Sequence, residues 1–186
     1  ITIRGPDGGG AVFTGAVGER DGINIADARY VRVQNLSLRG YSNGIRVEAN
    51  ATNIEIRGNS AFSNFSAGVR LGASSVRATR IVSNDIRGRR VGRYGVISGG
   101  ADANVITNNR VAGHALYGVV LDYTSTTNRV MGNVVVSNSN TGIYLSSFDA
   151  DDNTVSSNAV DGAGFGFYGV LMNGADGNVV EKCTLR

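Results

Sequence analysis

Residues 118–142, GVVLDYTSTTNRVMGNVVVSNSNTG, contain one complete unit of a repeat that runs through most of the chain. The unit starts at a glycine followed by an aliphatic residue, and this pair recurs at intervals of 22 to 27 residues. The glycines that open such a pair are Gly22, Gly44, Gly68, Gly95, Gly118, Gly142 and Gly169. Self-similarity at this period is typical of solenoid folds, in which each repeat forms one coil.

An asparagine recurs about half a coil later, at spacings of 24 or 25 residues. The rungs of this ladder are Asn59, Asn84, Asn109, Asn133, Asn158 and then Cys183. We expect the first coil to enter the ladder at Gln34 or Asn35. Asparagine suits such turns because its amide bonds to backbone groups and because it tolerates left-handed dihedrals. Apolar residues three before and two after the rungs are the expected inward positions.

The sequence therefore predicts an all-β protein, a right-handed parallel β-helix of about seven coils with three short strands per coil. Strands of neighbouring coils would stack roughly 4.8 Å apart. We expect a single domain over residues 1–186, with an internal duplication that relates 22–94 to 95–168. The duplication is indicated by GVISGGADANV from Gly95 and GVLMNGADGNV from Gly169, which share seven of eleven residues. No capping segment is recognisable, so we expect a piece of a longer chain, or ends covered by flanking domains or by end-to-end self-association.

Composition narrows the possible functions. A single cysteine excludes an internal disulfide and a multi-cysteine metal site. No apolar run approaches the roughly 18 residues that a membrane span needs. The net charge of +3 divides into +7 for residues 1–94 and −4 for residues 95–186. The basic half favours an anionic ligand, whereas the acidic half and the lack of a recognisable motif argue against nucleic acid.

Over nearly the whole chain, these repeats resemble those of the pectate-lyase-like superfamily. That superfamily includes polysaccharide lyases, mannuronan C-5 epimerases and non-catalytic surface or periplasmic proteins. The epimerases carry a Tyr-Gly-Phe-Asp-Pro-His signature, followed one coil later by an Asp-Tyr pair. Here the corresponding run is YGVISG from Tyr94, and the later pair is Asp122 and Tyr123. Because Ile97 and Gly99 replace the signature's Asp and His, the resemblance implies a sugar-binding ancestry and argues against epimerase activity.

The first strand of each coil predicts a column of outward-facing residues, where members of this superfamily bind their polymer. The column contains Asn24, Arg46, Arg70, Ile97, Val120, Tyr144 and Leu171. Arg46 and Arg70, with Arg93 from a long loop, would bind uronate carboxylates, because a guanidinium group matches a carboxylate in bidentate geometry. The alternative is that these arginines only keep the surface soluble.

The later part of this column is apolar, from Ile97 to Leu171, flanked by Tyr123 and Phe148. Four successive exposed apolar rungs would be unusual on a monomer. They predict a sugar-stacking platform that includes Tyr144, an oligomer interface, or a wall covered by the long loop that carries Phe165 and Phe167.

Tyr94, His114 and Asp122 are the three candidates for catalysis, and Tyr117 is a candidate for substrate binding. His114 would border the same cleft as Tyr94 and Tyr117, and Asp122 follows eight residues after it. A His or Tyr base beside arginines that neutralise a uronate carboxylate suits β-elimination. The alternative for His114 is a structural one, since it stands where other coils have Asn64 and Asn138.

The run of Asp149, Asp151 and Asp152 resembles a calcium loop, but Asp151 aligns with the turn aspartates Asp102 and Asp176. We therefore predict no cofactor, with weak calcium binding as the alternative. The leading hypothesis is an extracellular or cell-surface protein that binds acidic polysaccharide, with cleavage by β-elimination open. The alternative hypothesis is a non-catalytic structural or assembly module.

Overall fold

The computed structural model describes residues 1–6, 11–16, 20–72, 74–146, 149–162 and 167–186. Within these ranges the chain forms short strands and no helix, so it contains no helix long and apolar enough to cross a membrane. The strands are β1 (Thr2–Arg4), β2 (Ala11–Thr14), β3 (Ile23–Ala26), β4 (Arg32–Gln34), β5 (Leu36–Arg39), β6 (Asn43–Glu48), β7 (Glu55–Arg57), β8 (Ser60–Phe62), β9 (Ala67–Leu71), β10 (Arg80–Val82), β11 (Asp85–Arg87), β12 (Tyr94–Gly99), β13 (Val105–Thr107), β14 (Arg110–Ala112), β15 (Tyr117–Asp122), β16 (Arg129–Met131), β17 (Val134–Val136), β18 (Thr141–Leu145), β19 (Thr154–Ser156), β20 (Ala159–Asp161), β21 (Tyr168–Met172), β22 (Val179–Glu181) and β23 (Thr184–Leu185).

The strands form three parallel sheets that run along the coil axis. Sheet A has the order β1-β4-β7-β10-β13-β16-β19-β22, sheet B the order β2-β5-β8-β11-β14-β17-β20-β23, and sheet C the order β3-β6-β9-β12-β15-β18-β21. Every strand pairs with the equivalent strand one coil away. The predicted right-handed parallel β-helix of about seven coils, with three strands per coil, is confirmed.

Aliphatic side chains fill the interior of the coils. The predicted inward positions before the asparagine rungs are fully buried at Ile56, Ile81 and Ile106, and those after the rungs are equally buried at Ile86 and Val111. Equivalent positions lie directly above one another, because Ile81 pairs with both Ile56 and Ile106. Each coil is too thin to form a core alone, so the stacking buries one continuous apolar column.

The predicted asparagine ladder lies between sheets A and B. Asn109 is representative: its Oδ1 accepts from the backbone N–H of Asn84 at 2.9 Å, and its amide donates to the Ile81 carbonyl at 2.9 Å. Cys183 continues the ladder, since its sulfur lies 3.8 Å from the Asn158 amide. The expectation for the first coil was wrong. Leu36, and not Gln34 or Asn35, holds the rung position, because the Leu36 N–H donates to the Asn59 side-chain oxygen at 3.0 Å.

A second ladder, absent from the sequence expectations, lies at the turn between sheets C and A. Each backbone N–H of one rung donates to the side-chain oxygen of the next at 2.8 to 2.9 Å. Its members are Asn104, Asn128, Asn153 and Asn178. The spacing of 24 and 25 residues was present in the sequence and was the signal that could have predicted this ladder.

Candidate functional site

The outer face of sheet C carries the predicted outward column in register. Asn24 pairs with Arg46, Arg46 with Arg70, and the pairing continues through Ile97, Val120, Tyr144 and Leu171. A neighbouring column at the strand starts holds Tyr94 and Tyr117. The sheet therefore places cationic residues on early coils beside aromatic residues on later coils.

Arg46 and Arg70 lie on neighbouring strands at the basic end of this face, but only Arg46 has its charge neutralised by carboxylates. Arg46 lies 2.6 Å from Glu48 and 3.5 Å from Asp21, so two carboxylates neutralise it. Arg70 forms no ion pair or hydrogen bond with any part of the chain that the structure describes, although it is half-buried. Gly72 lies beside both arginines and has no side chain: a Cβ at this position would be 3.8 Å from the Nε of Arg46 and 3.8 Å from the Nε of Arg70. Arg70 is therefore an uncompensated cation on this face.

Arg93 connects the cationic part of the face to the aromatic part. Its guanidinium carbon lies 5.6 Å from the ring centroid of Tyr94, which is within cation–π range. The backbone N–H of Arg93 donates to the Phe65 carbonyl at 3.3 Å, and this bond anchors the loop that precedes strand β12. Arg93 thus stabilises the ring of Tyr94 and keeps an exposed positive charge beside it.

Three tyrosines form a stack along the later coils. The rings of Tyr94 and Tyr117 are 5.9 Å apart with an interplanar angle of 21°, and those of Tyr117 and Tyr144 are 5.2 Å apart at 42°. Burial raises the pKa of Tyr117 above its usual value, and the neighbouring Tyr144, Tyr94 and Asp122 raise it further. The Tyr117 phenol therefore stays protonated at neutral pH.

The tyrosine stack corrects the expectation of an exposed apolar column. Ile97 and Val120 are 6% and 2% exposed, because the three rings pack on them and on Ala67. Tyr144 and Leu171 are half-buried, and Phe167 and Tyr123 are exposed. Phe148 and Phe165 lie outside the described residues. The cover comes from this face itself, which removes one of the features that predicted self-association.

Asp122 ends strand β15 on the same face. Its carboxylate accepts a hydrogen bond from the Tyr123 backbone N–H at 2.9 Å and another from the Ser146 hydroxyl. Tyr94 begins the neighbouring strand β12, so Tyr94 and Asp122 lie at opposite ends of adjacent strands, roughly 16 Å apart along the strand direction. The two candidates share the face without converging on one point.

His114 is not part of this face. It lies in the turn between β14 and β15, is 1% exposed, and its Nδ1 is 3.0 Å from the Asn138 side-chain oxygen. Burial lowers its pKa from 6.5 to about 4. Gly88 makes room for the ring, because a Cβ there would lie 2.6 Å from the imidazole Cδ2. The prediction that His114 borders a cleft with Tyr94 and Tyr117 is wrong. His114 instead takes the buried turn position that Asn64 and Asn138 hold in other coils.

Asp151, from the run that resembled a calcium loop, and its repeat equivalent Asp102 each accept a hydrogen bond from a backbone N–H one coil further along. Asp102 accepts from the Thr126 N–H at 3.0 Å, and Asp151 accepts from the Asp176 N–H at 2.7 Å. Within the described ranges, no group of three or more His, Cys, Asp or Glu side chains is arranged to hold a metal ion.

Sequence reasoning missed the contacts that define this face. The Ser146 hydroxyl that binds Asp122 gave no signal, because serine is common in these turns. The tyrosine stack had a signal, since the parallel register places Tyr94 beside Tyr117 and brings Tyr144 one coil further along.

Several solved structures share this fold. A double mutant of the periplasmic alginate epimerase AlgG has a TM-score of 0.75 and 21% identity, over 82% of this chain and 35% of that one. Alginate lyase from Paenibacillus sp. str. FPU-7 has a TM-score of 0.72 and 15% identity, over 100% of this chain and 81% of that one. The A-module of the Azotobacter vinelandii mannuronan C-5 epimerase AlgE6 has a TM-score of 0.63 and 15% identity, over 94% and 57%. This chain thus spans about a third of the AlgG structure.

Family membership follows from the sequence. No curated protein sequence is significantly similar to the chain. The family profile described as NosD, periplasmic copper-binding protein, matches residues 9–185. Because this match covers nearly every coil, the chain belongs to the NosD family.

Proposed function

We propose that this protein is a periplasmic or extracellular β-helix module that binds acidic, uronate-containing polysaccharide along the outer face of sheet C. The observation that carries the proposal is the uncompensated guanidinium of Arg70 beside the stack of Tyr94, Tyr117 and Tyr144. Two further facts support it: solved relatives of this fold are an alginate epimerase and an alginate lyase, and the family description is periplasmic.

The two parts of the face suit the two parts of a uronate sugar. A carboxylate meets Arg70 in bidentate geometry, whereas the half-exposed tyrosine rings pack against the apolar face of a sugar ring. Arg46 contributes less attraction, since Glu48 and Asp21 compete for its guanidinium. The face extends from Arg46 to Tyr144 across four coil steps, or roughly 19 Å, which gives a linear polymer several contacts.

The geometry supports binding better than β-elimination, which needs a base beside the C5 proton. His114 is buried and bonded to Asn138, so it does not reach the face. The raised pKa of Tyr117 makes its phenol a poor base at neutral pH. Asp122 already accepts two hydrogen bonds, from Ser146 and Tyr123. The residues predicted for catalysis therefore act, in this proposal, as parts of a scaffold and a binding surface.

Copper binding, suggested by the family description, does not fit this chain. Copper prefers imidazole, thiolate and thioether ligands. The chain has one histidine, one cysteine and two methionines, and the methionines lie on different sheets, Met131 at the end of β16 and Met172 at the end of β21. His114 is buried against Asn138 in the turn between sheets B and C, whereas Cys183 lies beside Asn158 in the ladder between sheets A and B. These two groups belong to different turns and do not form a site, so copper has no part in the proposed function.

Native gel electrophoresis in gels that contain polysaccharide tests the substrate class. Alginate and polygalacturonate should retard the protein, whereas neutral dextran should not, because only the acidic polymers offer carboxylates to Arg70. Equal mobility in all gels, or equal retardation by dextran, would contradict the proposal.

A further inference from the structure

A groove lies on the outer face of sheet B, beside the turns that lead from sheet B to sheet C. It has a volume of about 600 Å³, and its floor is formed by the early strands β2, β5 and β8. Val12, Phe62 and Phe65 supply the apolar part of the lining, and Val91 forms part of the wall. The size lies within the range of small-molecule sites.

The wall of this groove is an insertion in the third coil. Strand β11 ends at Arg87, and the loop 88–93 then places Arg89 and Val91 over the earlier coils. Arg89 and Arg90 both have left-handed backbone angles, with φ of 49° and 62°, which is unfavourable for side chains of this kind. The loop is held by the Arg90 N–H, which donates to the Gly113 carbonyl at 2.6 Å. The wall is therefore fixed in place at a cost in backbone energy.

The two charged residues in the described lining of the groove, Arg39 and Arg89, are both positive. Arg39 donates from Nε to the Thr14 hydroxyl at 3.1 Å, and within the described ranges neither Arg39 nor Arg89 forms an ion pair. Among the residues that the structure describes, no aspartate or glutamate lines the groove. The nearest arginine on the same sheet, Arg87, differs because it is paired with Asp85 at 2.7 Å and stands over the Phe62 ring.

The coil itself does not require these residues. The second half of the duplication builds equivalent coils with Ala112 at the position of Arg39, Val136 at that of Phe62, and Ser139 at that of Phe65. The fold thus tolerates small or aliphatic residues at all three positions. The aromatic and cationic set belongs to the groove and has no counterpart in the repeat.

We propose that this groove binds an amphipathic carboxylate, an anion with an aliphatic body of the size of a medium-chain fatty acid. The aliphatic body packs on Phe62, Val12 and Val91, and the carboxylate lies between Arg39 and Arg89. The site differs from the polysaccharide face, because its described lining residues belong to sheet B, to the loop 88–93 and to the turns after β2, β5 and β8, and none of them belongs to a strand of sheet C.

Isothermal titration of the whole chain with dodecanoate, below its micellar concentration, tests the proposal. We expect saturable binding, and the double substitution Arg39→Ala and Arg89→Ala should weaken it about tenfold or more, as loss of charged hydrogen bonds predicts. Arg110→Ala is the matched control, since it removes an exposed arginine from strand β14 of the same sheet outside the groove, and its affinity should stay within about twofold. Dodecanol should bind more weakly than dodecanoate.

Three outcomes would overturn the proposal: no saturable binding of dodecanoate, an equal loss in Arg110→Ala, or equal affinity for dodecanol. Displacement of dodecanoate by alginate oligosaccharides would also overturn it, because the groove would then be part of the polysaccharide site. Phe62→Ala supplies a second test through the apolar body, and circular dichroism of each variant verifies the fold. None of these results depends on whether the sheet C face binds polysaccharide.

Discussion

The imidazole Nδ1 of His114 lies 3.0 Å from the side-chain oxygen of Asn138, and both side chains are buried in the turn between sheets B and C. The same Asn138 oxygen accepts the backbone N–H of His114 at 3.0 Å. A neutral imidazole therefore performs the function of a ladder amide. Its position makes the stability of the coil dependent on pH.

Acid should destabilise the protein through His114. Its pKa is about 4 in the folded protein against 6.5 when unfolded, so the unfolded chain binds the additional proton between these values. Stability is fully present above pH 6.5 and falls as the pH decreases from 6.5 to 4, by on the order of 3 kcal/mol. Urea unfolding at a series of pH values measures this loss. His114→Asn should reduce the slope over that range, and an unchanged slope in this variant would contradict the assignment.

Removal of one ladder rung should destabilise the fold strongly. Asn109→Ala leaves the backbone N–H of Asn84 and the carbonyl of Ile81 without their partners in the interior, at a cost of roughly 2–4 kcal/mol. Chemical denaturation compares this variant with Asn173→Ala, whose side chain is exposed and which should change stability by less than about 0.5 kcal/mol. Similar losses in the two variants would mean that the ladder contributes little.

The scaffold could be predicted from the sequence because stacking repeats each environment in every coil. Ile81 and Asn84 reveal their roles through residues 25 positions before and after them. Residues that differ between coils were not predictable in this way. The burial of Ile97 and Val120 depends on how the rings of Tyr94, Tyr117 and Tyr144 pack, and the burial of His114 depends on the space left at Gly88. The sheet B groove arises from a loop that folds back over earlier coils.

The Tyr117 phenol should ionise at higher pH than the exposed tyrosines. Ultraviolet titration of phenolate absorbance should show a late component, and Tyr117→Phe should remove that component while the ring still covers Val120. Tyr117→Ala should instead lower the free energy of unfolding by roughly 1–3 kcal/mol, because it uncovers the apolar patch. A titration curve that Tyr117→Phe leaves unchanged would contradict the burial of this phenol.

Binding should occur without cleavage. Incubation with alginate or polygalacturonate, with and without calcium, should produce no increase in the ultraviolet absorbance of unsaturated uronate ends. The reason is that two of the predicted catalytic residues are engaged in the scaffold, since His114 is buried and Asp122 is held by Ser146 and Tyr123. A steady increase that Asp122→Asn abolishes would instead restore β-elimination as the function.

Titration of alginate oligosaccharides into the wild type, Arg70→Ala and Arg80→Ala at low and high salt tests the central claim most directly. Arg80 is the matched control, because it is an exposed arginine on sheet A with no ion pair within the described ranges. We expect Arg70→Ala to weaken binding about tenfold at low salt and Arg80→Ala to have an effect below about twofold. Salt should weaken the wild type toward the Arg70→Ala value. Equal losses in both variants would mean that alginate responds only to the net charge of the basic half, and unchanged affinity in Arg70→Ala would contradict the proposed site.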